Sequence, residues 1–192
     1  MTSVSPFDPF NERRKSLEEA FFKERDQQLL NKLRSEFEAF EEKNKIAHVS
    51  GIMDPQVLKD LVEAGVRAET MLAMRLVPVV EVAWSDGSLS PEERAAVLNA
   101  AASLDIHPGT APYEMLSRWL QERPDPRLAA AWKEYVKELA RVLPAGSLAE
   151  LKRQTLDRCR RVAEAAGGFL GIGTISRSEQ AKIDEFTKAW NG

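Results

Sequence analysis

Asp86-Gly87 followed by Glu93 has the spacing of half a calcium loop. In an EF-hand frame Asp86 takes the fifth position, Gly87 the sixth, Leu89 the eighth and Glu93 the last. The first and third positions then fall on Val82 and Trp84, which carry no side-chain oxygen. Calcium wants about six to eight oxygens, so tight binding is not expected. The same letters describe a turn that leads into a helix with a capping glutamate. No metal or cofactor is expected.

Glu81, Asp86, Glu92 and Glu93 could instead receive a basic protein partner. Glu81 stands apart, flanked by Val79, Val80, Val82 and Ala83. A buried carboxylate needs a partner, and Arg75 is a candidate. His48 and His107 have no zinc-ligand spacing around them. Nothing resembles a nucleophile elbow. The glycines at 167, 168, 171 and 173 follow a helical pattern and lack the Lys-Ser/Thr of a phosphate loop. Lys152, Arg153, Arg158, Arg160 and Arg161 make a basic helix face, read as solvated because acids interleave elsewhere. No catalytic residue is assigned, and the chain is not expected to be an enzyme.

The elements that carry these residues read as helices throughout, giving an all-α class. Asp8-Pro9, Asp54-Pro55, Ser90-Pro91 and Asp125-Pro126 each pair an N-cap with proline in the first helical turn. Ser90 and Glu93 have the spacing of a capping box. Thr110, Ser147 and Ser176 are further candidate caps. Met71 to Trp84 is apolar nearly all round and predicts a central helix from about 69 to 85, bent at Pro78. The faces Tyr113, Leu116, Trp119, Leu120 and Leu128, Trp132, Tyr135, Val136, Leu139, Leu143 recur at helical spacing. The last helix carries Ile183, Phe186 and Trp190.

Residues 1–50 form a separate arm and linker, and residues 51–192 the main domain. Within the arm Phe10, Leu17 and Phe21 are followed by Leu30, Leu33, Phe37 and Phe40, whose three-four-three rhythm marks a narrow helix–helix seam. A break near 26–28 separates the two registers. Five of the chain's eight phenylalanines, Phe10, Phe21, Phe22, Phe37 and Phe40, lie here. The expectation is that about residues 29–46 pack on the protein itself and residues 6–25 face a partner. Arg14 and Leu17 belong to the same interaction surface.

Composition sets the frame: 43% hydrophobic, 30% charged and a formal net charge of −3. Such a balance argues against a dedicated nucleic-acid binder. Cys159 is the single cysteine, which favours a reducing, cytoplasmic setting. Neither a secretory signal nor a membrane span is apparent. Any membrane association would run through a partner.

Gly87-Ser88-Leu89-Ser90 leading to Glu93, Ala95 and Val97 is echoed by Gly173-Thr174-Ile175-Ser176 leading to Glu179, Ala181 and Ile183, at a constant offset of 86 residues. Two related helical halves follow. The stretch from Ala83 to Arg94, with its Trp84-Ser85-Asp86-Gly87 turn, resembles the signature of TerB-like domains, helical domains named after a tellurite-resistance protein. The resemblance covers roughly residues 55–190. It implies a pseudo-twofold bundle acting through protein partners in a bacterial stress-associated setting. The second half departs from the pattern, with Ile172 where an acidic residue would fall.

The start of the chain also resembles the zeta-type inhibitor subunit of bacterial ATP synthases. Phe10-x-x-Arg13 followed by Glu19-x-x-Phe22 matches its opening. That resemblance implies a regulatory arm inserting into a larger assembly.

Overall fold

The computed structural model describes residues 9–166 and 175–191, and the chain divides into two compact units, Met1–Glu41 and Glu42–Gly192. Among the described residues the regular structure is entirely helical. α1 spans Pro9–Ser50, α2 Pro55–Glu63, a 3-10 segment Ala68–Leu76, and α3 Val77–Ala83. α4 follows at Pro91–Ala102, α5 at Ala111–Gln121, α6 at Pro126–Val142, α7 at Ala145–Ala166 and α8 at Arg177–Ala189.

α1 passes through 26–28 without a break. No glycine or proline interrupts that stretch, and Gln28 Nε2 reaches Glu24 Oε1 one turn back at 3.5 Å. The helix stops where Gly51 adopts φ +73, a conformation that costs a side-chain-bearing residue more. Only residues 51–54 separate α1 from α2, so the helix runs through the whole of the expected arm and linker up to Ser50.

The second unit is built around α3. Every residue from Val77 to Ala83 is buried, and α3 touches α4, α6, α7, α8 and the 3-10 segment. Pro78 does not bend a long helix as expected. It sits in the first turn of α3, where its missing N–H costs nothing. The preceding chain, Ala68–Leu76, takes the tighter 3-10 form. Glu42 Oε1 accepts the Ala68 N–H at 2.7 Å, tying the last turns of α1 to the start of that segment.

The apolar faces pack as their spacing predicts. Leu116, Trp119 and Leu120 of α5 are buried, as are Leu128, Trp132, Val136 and Leu139 of α6. Trp132 meets Phe186 edge-on at 5.0 Å and Trp190 at 5.6 Å, locking α6 to the C-terminal helix.

Asp54 Oδ1 accepts the N–H groups of Gln56 at 2.9 Å and Val57 at 3.0 Å; Asp125 Oδ1 accepts that of Arg127 at 2.8 Å. Two expected caps are not made. Thr110 Oγ1 donates to the His107 carbonyl at 2.8 Å instead of accepting from its helix. α7 begins before Ser147, with the Leu148 N–H already bonded to the Pro144 carbonyl at 3.0 Å. The cap at Asp8 and the glycines at 167, 168, 171 and 173 fall outside the described residues, as does Ile172.

Candidate functional site: the arm seam and the acidic turn

In the first unit, Leu17, Phe21, Leu30, Leu33, Phe37 and Phe40 are all exposed, Phe37 by 65%. The side chains of Phe10, Arg14 and Phe22 lie outside the described residues. Exposed aromatic and aliphatic residues in a continuous helical row are an unusual surface for a monomer, since each ring buried would contribute about 1.5–3 kcal/mol.

The expectation that residues 29–46 pack on the protein itself is met only at the end of that span. Ile46 is fully buried, whereas the seam residues before it are not. Ile46 is six positions beyond Phe40, about 120° around the helix from it. Ile46 belongs to the second unit, where it joins the core.

The four acidic residues do not share one exposed face. Glu81 is buried on α3, with its Oε2 3.8 Å from Arg123 Nη2 and 3.9 Å from Lys182 Nζ. Burial pushes its carboxyl upward, and Lys182 and then Arg123 pull it partly back. Arg75, the candidate partner, lies elsewhere, close enough to Tyr135 and Arg158 to influence both.

Glu93 is buried and committed to the helix start. Its Oε2 accepts the Ser90 N–H at 2.8 Å, and Ser90 Oγ accepts the Glu93 N–H at 3.1 Å. Burial raises its pKa, the Ser90 bonds lower it, and Asp86 and Glu179 add smaller upward pushes. Asp86 and Glu92 are exposed. Asp86 Oδ1 accepts from Ser88 N–H at 2.9 Å and Ser88 Oγ at 3.0 Å, so the carboxylate closes its own turn around Gly87, φ +92.

The echo at Ser176 forms the same pair of bonds. Glu179 Oε2 accepts the Ser176 N–H at 2.6 Å, and Ser176 Oγ accepts the Glu179 N–H at 3.2 Å. Glu179 Oε1 is buried without a hydrogen-bond partner.

No group of three or more His, Cys, Asp or Glu side chains among the described residues is arranged to hold a metal ion. His107 Nε2 is 3.8 Å from Asp105 Oδ1, and His48 is exposed on α1. Cys159 is fully buried, and burial pushes its thiol up to about 12, far from a reactive thiolate. No helix of the described residues is long and apolar enough to cross a membrane.

On the basic face of α7, Arg153 is paired with Glu150 at 2.6 Å and Asp157 at 3.0 Å, and Arg160 with Asp157 at 3.3 Å. Lys152 Nζ donates to Asn191 Oδ1 at 2.6 Å. Glu150 and Asp157, three or four residues from their partners on the same helix, set the paired Arg153 and Arg160 apart from the other cations of this face.

No family model, curated protein or solved structure matches this chain.

Proposed function

We propose that this chain is a non-enzymatic interaction protein of TerB-like type whose α1 seam takes a helix of a protein partner. The observation that carries the reading is the exposure of Leu30, Leu33, Phe37 and Phe40 in one three-four-three row. Such a row is too narrow to cover a sheet or a broad groove and fits the side of another helix. The mixed charges that flank it would set which helix is accepted.

The TerB-like part rests on the Ala83–Arg94 stretch and on the two capping boxes, which make equivalent hydrogen bonds 86 residues apart. Two pseudo-equivalent halves would make up the main domain, acting in the cytoplasm of a bacterium in a stress-associated role such as tellurite resistance. Affinity capture with the full chain and with a Leu33→Glu/Phe37→Glu variant tests the reading. A partner retained by the first and lost from the second is expected; identical capture by both would refute it.

Leu17, 66% exposed, favours a second reading in which the start of α1 inserts into a larger assembly as a regulatory subunit. Removing residues 1–25 separates the two. The seam reading predicts that binding survives, the insertion reading that it is lost.

A further inference from the structure

α4 and α7 leave a groove of about 490 Å³ between them, lined by Asn99 and Ser103 on one side and Gln154, Arg158 and Arg161 on the other. Ala96 and Ala100 of α4 also line it. Charge in this groove is not balanced. Arg153 and Asp157 also line it, but they are engaged with each other, and Asp157 is shared with Arg160. Arg158 and Arg161 have no hydrogen bond or ion pair among the described residues. The Arg158 Nη1 is buried and still without an acceptor.

An unpaired guanidinium held partly out of water is costly unless something supplies the missing acceptor. Burial of Arg158 lowers its pKa, and the nearby charges of Arg75 and Arg161 push it down further. Asp157 offsets this only in part, being committed to Arg153 and Arg160, so the repelling pair Arg158 and Arg161 would be relieved by a ligand carrying more than one negative charge. Guanidinium forks match the oxygen geometry of such a ligand.

We infer that the groove between α4 and α7 is a binding site for a phosphate monoester, with Arg158 and Arg161 contacting the phosphate. Its volume is within the range of small-molecule sites, so an organic body fits beside the phosphate. Ser103 Oγ already donates to the Ala100 carbonyl at 2.7 Å and Gln154 Nε2 to Glu150 at 2.8 Å. The Asn99 amide, which has no hydrogen bond among the described residues, is left to read the organic body. The inference is independent of the arm.

The test is calorimetry on the full chain with inorganic phosphate, glucose 6-phosphate and glucose, together with flotation on vesicles of phosphatidylcholine with and without phosphatidic acid. Glucose 6-phosphate is expected to bind at about 1 mM or tighter and glucose not at all. Binding only to phosphatidic-acid vesicles would place the same phosphate chemistry on a lipid headgroup. Arg158→Gln and Arg161→Gln should each weaken binding at least about tenfold. Arg118→Gln, on α5, should leave it unchanged. Circular dichroism of each variant separates lost binding from lost folding, and Arg161→Gln, on an exposed side chain, remains informative if Arg158→Gln fails to fold. No binding of any phosphate probe, or equal binding by wild type and both groove variants, would overturn the assignment.

Discussion

Lys182 Nζ lies 3.9 Å from the buried Oε2 of Glu81, so a charge on the C-terminal helix answers a carboxylate at the centre of the core. The pair draws α8 onto α3, and Arg123 completes it from the chain after α5 at 3.8 Å. Neither cation neutralises the cost of burial fully, since the Glu81 carboxyl stays above its ordinary range.

The sign of the resulting pH dependence follows from that shift. A carboxyl whose folded pKa is raised binds its proton more tightly in the folded state, so its contribution is present at low pH. That contribution is lost as pH rises through the folded value. Wild type should therefore be more stable relative to Glu81→Gln at pH 4 than at pH 7. Urea unfolding of both proteins across that range checks it, and a difference growing with pH would contradict the burial argument.

Ser90→Ala and Ser176→Ala should each cost about 1 kcal/mol, because each removes the acceptor for an N–H in the first turn of its helix. The two effects should be similar in size, as the boxes are locally alike. Chemical denaturation measures both. A negligible effect at one and not the other would show that the echo is one of letters only.

These caps were legible because everything they need lies within four residues. Asp54, Ser90, Asp125 and Ser176 act on their own helices, and the pattern alone specifies them. Thr110 and Ser147 show the limit of that reasoning: a hydroxyl has more than one local acceptor or donor, and backbone geometry chooses. Glu81 was recognisable as needing a cation, but Arg75 is nearer in sequence than Arg123 or Lys182. Only the packing of α3 against α8 decides between them. The arm's seam was visible as a periodicity. That Ile46 would be buried while the seam residues stay exposed was not, because a helix with many apolar residues leaves that choice to its surroundings.

Ile46→Ala should destabilise the second unit by about 2–5 kcal/mol, the usual cost of emptying a fully buried aliphatic site. Leu33→Ala, at an exposed position of the same helix, should change stability by no more than about 0.5 kcal/mol. Comparable losses at both positions, read by thermal unfolding, would mean that the seam is packed in solution.

Calcium titration should give no binding in the micromolar range. Asp86 Oδ1 already serves Ser88, and Val82 and Trp84 supply no side-chain oxygen. Micromolar binding in calorimetry that disappears in Asp86→Ala would contradict the turn reading.

The seam itself can be probed one residue at a time. A photo-crosslinking amino acid placed at Phe37 sits on the row formed by Leu30, Leu33 and Phe40, whereas one at Ser35 sits on the opposite side of the same helix. In cells producing each protein, a discrete crosslinked species is predicted from position 37. It should be absent from position 35, and lost from position 37 when Leu30 and Leu33 are changed to glutamate. Equal crosslinking from both positions, or none from 37, would contradict the claim that this row is the protein's interaction surface.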